Sequence, residues 1–196
     1  ISLNASLDGQ GSEVNVFGFS ASNKEQKTKI HTQVTHNAKE TLSDIKTIGI
    51  ADDNSSLSNT GLIKINSNAS NSNGYEKMDI LILNEKALVE SIPNLEINNH
   101  DVKCSHGSSI SQIDQDQIFY LMSRGLSKEE SKEKIIEGYF TPILELLNDK
   151  EKSEKIMRLQ DELWGFKSVG RAATDLPQQQ AVSLRLIMQV AALKYL

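Results

Sequence analysis

The sequence predicts a mainly β protein with helices on its C-terminal side, and two observations support this prediction. From the first residue to about residue 113, short apolar segments alternate with polar residues, as in strands that bury one face. From Asp114 onward, apolar residues recur every three or four positions, which is typical of amphipathic helices. We therefore expect a β domain over residues 1–113 and a helical domain over residues 114–164.

The β region contains seven candidate strands. In the first, Ile1, Leu3, Ala5 and Leu7 alternate with polar residues. The segment Gly9-Gln10-Gly11 ends this strand. The other candidates are Val14 to Phe19, Thr28 to Thr35, Thr47 to Ile50, Leu62 to Ile65, Ile80 to Leu83 and Leu95 to Cys104.

Clusters of Asn, Ser, Asp and Gly at residues 52–58 and 66–74 separate several of these runs. Such residues favour turns, because they tolerate a positive φ or bond their own backbone. Short strands with polar corners suit a sandwich, a barrel or a parallel β-helix. The irregular repeat period leaves all three open, and a sandwich is the commonest of them.

The helical region begins with a short helix. Asp114 is placed to cap it, Ile118, Leu121 and Met122 supply its apolar face, and Gly125 is placed to end it.

A capping-box pattern, Ser127 with Glu130 three residues later, starts a second helix. Pro142 lies inside that helix and should kink or divide it. Residues 151–163 predict a further amphipathic helix. The remaining segment, residues 165–196, is a divergent tail for which we expect a helix over Pro177 to Leu196.

Composition restricts the kind of partner and the compartment. The net charge of −5 and the pI of about 5.4 disfavour nucleic acid, because phosphate binding usually needs a basic surface. A single cysteine excludes an internal disulfide and fits a reducing compartment. We expect a cytoplasmic protein, or one in a plastid-type organelle if the source is eukaryotic. No apolar run approaches the ~18 residues of a membrane span.

Several catalytic and metal motifs are missing from the sequence. There is no Gly-x-x-x-x-Gly-Lys-Ser/Thr loop for ATP, no Cys-x-x-Cys pair for a self-contained zinc or iron–sulfur site, and no Gly-x-Ser-x-Gly elbow. The pair Asp52-Asp53 resembles the paired carboxylates of polysaccharide-cleaving β-helix enzymes, but adjacent residues in a turn usually serve as caps. We therefore do not expect an enzyme.

The most informative segment places Cys104, the only cysteine, two residues before His106. Side chains at i and i+2 of a strand point to the same face, about 6.5 Å apart. Thiolate and imidazole are both good ligands for soft or borderline metals. Each residue alone is more often structural, but together they predict half of a metal site, which a second chain would have to complete.

The segment around this pair also resembles a known family. Leu95-Glu96-Ile97, Asp101 to Gly107 and Asp116 to Ser127 are similar to the C-terminal half of the SufB/SufD proteins, scaffold components of the Suf iron–sulfur cluster assembly system. The resemblance covers roughly residues 30 to 147, and the form Lys-Cys-Ser-His-Gly is SufD-like. It implies a right-handed parallel β-helix followed by a small α-helical domain.

The resemblance further implies a non-enzymatic scaffold subunit of a SufBCD-type complex. Its dimer partner would be a SufB-like subunit or a second copy of itself, and no nucleic acid or membrane partner is expected. In the family, a SufD histidine of this motif faces a SufB cysteine across the dimer interface. The matching residue is His106, with Cys104 as a second candidate ligand. No cofactor would be bound stably by the chain alone, and iron or an Fe–S cluster would be held transiently at the interface.

The helical domain, residues 114–164, would dock the SufC-like ABC ATPase. The candidate contact residues are Phe119, Tyr120, Leu121, Arg124 and Gly125.

A second hypothesis gives the chain a purely structural role. In this alternative it is a degenerate SufD-like interaction module that binds the ATPase but holds no metal. Iron and sulfide content after anaerobic co-expression with the partners would distinguish the two hypotheses.

Overall fold

A computed structural model describes residues 1–142, together with the backbone alone of residues 143–147 and of Ile187–Leu193. The described residues fall into two compact units. One contains residues 1–112 together with residues 187–193, and the other begins at Ile113.

The first unit is a parallel β-helix. Its eight strands are β1 (Ser2–Leu7), β2 (Glu13–Ser22), β3 (Lys27–His36), β4 (Leu42–Ala51), β5 (Ser56–Ile65), β6 (Asn73–Ile82), β7 (Leu88–Ile97) and β8 (Lys103–Gln112). The odd-numbered strands form one sheet in the order β1-β3-β5-β7, and the even-numbered strands form a second in the order β8-β6-β4-β2. All pairs within this set are parallel, so the chain alternates between two sheets as it winds through about four turns. The predicted fold class is confirmed.

Each turn of the β-helix takes about 30 residues. Glu13 pairs with Leu42, Leu42 with Asn73 and Asn73 with Lys103, which are steps of 29, 31 and 30 residues. The sequence pattern did not reveal this period, because each turn contains two strands separated by corners of variable length.

The core lies between the two sheets. Burial alternates along most strands, so that every second side chain points inward. One cluster is centred on Val16, Val34, Ile45 and Ile63, all fully buried. Because paired residues of parallel strands point to the same side, these inward positions stack from one turn to the next.

The strand predictions need correction in two respects. The segment Leu95 to Cys104 is not one strand, because β7 ends at Ile97 and β8 begins at Lys103. The backbone N–H of Asn98 donates to Ile65 O (2.8 Å), and that of Lys103 donates to Ser72 O (3.0 Å), so the corner between them is tied to the previous turn. Several other strands begin earlier than the apolar runs suggest, since polar residues occupy their first positions.

The predicted helix over Pro177 to Leu196 is wrong for its described part. Ile187–Leu193 forms strand β9, antiparallel to β2, with Glu13 opposite Leu193. Strand β2 would otherwise end its sheet, and an unpaired strand edge offers backbone groups to any extended segment. The remainder of that prediction, the helix at 151–163 and most of the tail lie outside the described residues.

The helices begin where their caps predict. In α1 (Gln115–Ser123), the Asp114 carboxylate accepts from the Asp116 N–H (2.9 Å). In α2 (Lys128–Leu147), Ser127 and Glu130 form the predicted reciprocal capping box, with distances of 2.7 and 3.2 Å. The second helix includes Pro142 and is not divided there.

Among the described helices, none combines the length and the apolarity that a membrane-spanning helix needs.

A buried histidine fixes one corner of the β-helix. His36 is fully buried, and its ring nitrogens bond Thr41 Oγ1 (2.7 Å) and Ser43 Oγ (2.9 Å). Thr41 Oγ1 also bonds Ser72 Oγ (2.7 Å), one turn further along. Burial lowers the pKa of His36 from 6.5 to about 4, so the ring is neutral at neutral pH.

This histidine should make the fold sensitive to acid. Unfolded chains bind a proton at His36 below about pH 6.5, whereas the folded chain does so only near pH 4. Folded-state stability is therefore lost as the pH falls through this window, by up to about 3 kcal/mol. Relative to the wild type, His36→Gln should gain stability as the pH falls from 6.5 to 4, measured by urea unfolding with circular dichroism. The exposed His100→Gln is the control, and a parallel pH dependence of His36→Gln and wild type would contradict the assignment.

Candidate functional site

The last turn of the β-helix is open on one side. Strands β7 and β8 are the final members of their sheets, and among the described residues no strand pairs with their outer edges. Inward-facing side chains of this turn therefore have a neighbouring strand on one side only. Ser108 Oγ donates to Ser91 Oγ (2.8 Å), and this bond links β8 to β7 across the interior. We call this open end, lined by Ser91, Cys104, His106 and Ser108, the end-coil mouth.

Strand β8 presents the two candidate ligands at this mouth. Cys104 pairs in register with Gly74 of β6, and His106 pairs with Glu76, so both point to the inward face. Cys104 is half-buried and packs against the core cluster that contains Ile63, whereas His106 is exposed. The sequence-predicted geometry of two ligands on one strand face agrees with this placement, and their role as metal ligands stays a prediction.

The thiol is protonated in this environment. Burial, and to a smaller extent the charge of Glu76, raises the pKa of Cys104 from 9.0 to about 11, against a smaller lowering by a hydrogen bond with the backbone of Ser105. A free thiolate is therefore scarce at neutral pH, and a positive charge nearby would be needed to form one.

A glycine makes room for the thiol. A Cβ atom at Gly74 would lie 3.1 Å from Cys104 Sγ and 3.0 Å from Ile63 Cγ2. A side chain at position 74 would therefore crowd both atoms. Because glycine has none, the Cys104 thiol can pack next to Ile63.

Sequence reasoning missed Glu76, which lies on the inward face of β6. Its side chain is fully buried, and neither carboxylate oxygen has a hydrogen-bond partner. Burial raises its pKa from 4.5 to about 7. A methyl group at Gly61, on the opposite sheet, would overlap this carboxylate, so Gly61 provides its space. The only local signal was a glutamate within the alternating run Gly74, Glu76, Met78, Ile80.

The mouth does not form a complete metal site by itself. Among the side chains that the structure describes, no three from His, Cys, Asp or Glu come together in a way that could hold a metal ion. A thiol and an imidazole supply two donors, and a closed site for zinc or iron usually needs four. Any metal held here needs donors from elsewhere.

The candidate ATPase-contact residues lie on and after α1. Phe119 and Tyr120 are large apolar side chains that are 73% and 56% exposed, while Ile118 on the same helix is buried. The Arg124 guanidinium lies 5.2 Å from the centre of the Tyr120 ring, a cation–π distance. Leu121 is half-buried, and Gly125 is exposed with a φ of +98°. The helix thus presents an aromatic surface, and its role in docking stays a prediction.

The other sequence candidate, Asp52-Asp53, lies in a turn. Asp53 Oδ2 accepts from the Lys24 N–H (2.9 Å), and Asp52 Oδ1 accepts from the Asp53 N–H (2.8 Å). Both carboxylates therefore bond backbone, as expected for turn residues.

Comparison with known proteins gives consistent matches. The family model described as SUF system FeS cluster assembly, SufBD core domain, matches residues 1–139. The iron-sulfur cluster assembly protein SufD of Bacillus subtilis is 35% identical over 120 residues, which are 61% of this chain and 28% of that protein. The SufBD family protein slr0074 of Synechocystis is 29% identical over 138 residues, 70% of this chain and 29% of that protein. SufB of Bacillus subtilis is 29% identical over 136 residues, 69% and 29% of the two chains.

The chain therefore spans less than a third of the length of these relatives. The matched region includes the whole of β1 to β8, α1 and the first part of α2.

The buried carboxylate should reduce stability. The pKa of Glu76 is about 7 in the folded chain and 4.5 in the unfolded chain, so stability falls as the pH rises between these values. Replacing Glu76 by Gln removes the ionisable group, and the variant should be more stable at pH 8 by up to about 3 kcal/mol. Urea unfolding at pH 4 and pH 8 measures this. Equal stabilities of the variant and the wild type at pH 8 would show that the carboxylate has a stabilising partner.

Proposed function

Because this chain belongs to the SufBD core family of the SUF system, we propose that it is a non-enzymatic scaffold subunit of an iron–sulfur cluster assembly complex. The identity to SufD of Bacillus subtilis is higher than that to SufB of the same organism, which supports a SufD-like role. The structural observation that carries the proposal is the Cys104–His106 pair on an edge strand at the open end of the β-helix.

The end-coil mouth is suited to subunit association. Strands β7 and β8 each have an outer edge that no described strand covers, and such edges offer backbone groups to another chain. Exposed apolar side chains, Ile92 and Ile97 on β7 and Ile110 on β8, accompany these edges. We propose that a SufB-like subunit, or a second copy of this chain, covers this end.

In this proposal the chain holds the iron–sulfur cluster only transiently, and the cluster is not a resident cofactor. His106 is exposed and Cys104 is half-buried beside it, so a partner's ligand can approach both from the open side. A thiolate prefers soft or borderline metals and an imidazole accepts iron, so two donors here and further donors from the partner would hold iron or a growing Fe–S unit transiently. Cys104 must lose its proton to bind, and the metal supplies the positive charge that favours this.

The aromatic surface of α1 is the proposed contact for a SufC-like ATPase. Phe119, Tyr120 and Arg124 are exposed together, and aromatic residues and arginine are the types that most often dominate binding energy at protein interfaces. The stacking of Arg124 on Tyr120 keeps its charge near the aromatic face.

Replacing His106 by Ala tests the role of the ligand pair. In a complex reconstituted anaerobically with the scaffold partner and the ATPase, acid-labile sulfide and iron per complex should fall by about tenfold, the factor given by about 1.4 kcal/mol of lost binding. His100→Ala, an exposed histidine in the corner before β8, is the matched control and should keep the wild-type yield. A wild-type yield from His106→Ala with intact assembly would instead favour an interaction module that holds no metal.

Reversing the charge at Arg124 tests the docking surface separately. Arg124→Glu should weaken ATPase binding by at least about tenfold, because it replaces the cation over the Tyr120 ring by a negative charge at the proposed contact. Lys39→Glu, an exposed change of equal charge in the β domain, controls for net charge. Calorimetric titration of the ATPase into each variant measures the effect, and an unchanged Kd for Arg124→Glu would remove this residue from the contact.

A further inference from the structure

The interior of the β-helix contains a carboxyl group without a hydrogen-bond partner. Glu76 is the only Asp or Glu among the described residues whose side chain is buried from solvent, and both of its oxygens lack a hydrogen-bond partner. Buried polar groups are nearly always bonded, since an unpaired one costs several kcal/mol, about 2 to 7, and a charge costs more. His36, which is also fully buried, has partners for both ring nitrogens.

Glu76 lies next to the end-coil mouth. It lies on β6, the strand next to β8, and its register partner is His106. Cys104 is two residues from His106 and pairs with Gly74, which is two residues from Glu76 on the same inward face. The carboxylate is close enough to Cys104 for its charge to act on the thiol. The unpartnered carboxylate and the thiol thus lie in adjacent turns of one interior.

Two glycines leave the space that these groups occupy. A side chain at Gly61 would overlap the Glu76 carboxylate, and one at Gly74 would press on the Cys104 thiol. Both glycines belong to strands and have no positive φ, so backbone conformation does not demand them. Gly61 and Gly74 are therefore needed to leave space for the carboxylate and the thiol.

We propose that Glu76 and Cys104 are two donors of a divalent transition-metal site. Cys104 lies on β8, the last strand of the sheet, and Glu76 lies on β6, one strand further into the β-helix. The proposal rests on the proposed role of Cys104 in holding iron and adds a residue to that site. A carboxylate and a thiolate together carry two negative charges, which balance a divalent ion in a poorly hydrated interior. The thiolate favours a transition metal over Ca²⁺ or Mg²⁺, which need six or more oxygens.

Binding at this site is a ligand exchange without a change of oxidation state. The metal–sulfur bond forms as the S–H bond of Cys104 breaks, and that proton goes to solvent. An oxygen of Glu76 replaces a metal-bound water, and the remaining positions keep water or accept a partner's donor. No three such side chains converge among the described residues of one chain, so this site consists of Glu76 and Cys104 without His106.

Cobalt binding to the isolated, reduced chain tests the proposal without any partner. Co²⁺ bound to a thiolate gives a sulfur-to-metal charge-transfer absorption, so the spectrum reports the sulfur and the titration gives Kd. Cys104→Ser should abolish the absorption. Glu76→Gln, which is close in shape, should retain the fold and raise the Kd of Co²⁺ by at least about tenfold. Gly61→Ala, whose methyl group displaces the carboxylate, should weaken binding in the same direction.

The control variant is Glu13→Gln on β2, the same chemical change two strands away from β6 in the sheet. It should bind Co²⁺ as the wild type does, and circular dichroism checks the fold of every variant. Wild-type affinity and absorption in folded Glu76→Gln, with the absorption lost in Cys104→Ser, would overturn the role of Glu76 and leave that of Cys104 standing. Absence of any thiolate absorption in the wild type would overturn this proposal too. Glu76-dependent binding together with a normal cluster yield from His106→Ala would support this site while contradicting the proposed ligand role of His106.

Discussion

The parallel pairing of strands one turn apart is the constraint on which the rest of the structure depends. A register of about 30 residues brings Gly74 beside Cys104 and Glu76 beside His106. Because paired residues of a parallel sheet point the same way, each inward position must match those above and below it. Apolar residues fill most of these stacks, for example Val16 and Ile45 in neighbouring strands. Glu76 departs from this pattern, because it places a carboxyl group in such a stack one strand before the end of its sheet.

Two fully buried titratable groups among the described residues, His36 and Glu76, differ in whether they have hydrogen-bond partners. His36 is buried but bonded through both ring nitrogens, so it contributes to a corner network with Thr41, Ser43 and Ser72. Glu76 is equally buried but has no partner. A satisfied polar network stabilises one arrangement, whereas an unsatisfied buried carboxylate costs stability. Such a cost is commonly found at functional sites, and Glu76 lies next to the proposed cluster-assembly residues.

Local signals in the sequence predicted the features that depend on a few neighbouring residues. Asp114 and the Ser127–Glu130 capping box located the starts of both helices, because a cap is formed within one turn of helix. The shared face of Cys104 and His106 follows from the two-residue period of a strand. Strand boundaries were less accurate. The corner after Ile97 is held by bonds to the previous turn, as in Lys103 N to Ser72 O, and those partners are about 30 residues away.

The sequence by itself determined the β-to-helix division, the helix caps and the identity of the two candidate ligands, and the family resemblance added the β-helix. Tertiary structure alone decided that Glu76 lies beneath those ligands, that Gly61 and Gly74 leave space for a carboxylate and a thiol, and that residues 187–193 extend along β2. The physical reason is distance along the chain. Caps and strand faces are set by residues within a few positions of each other, whereas burial and the lack of a partner depend on strands that meet only after a full turn of the β-helix.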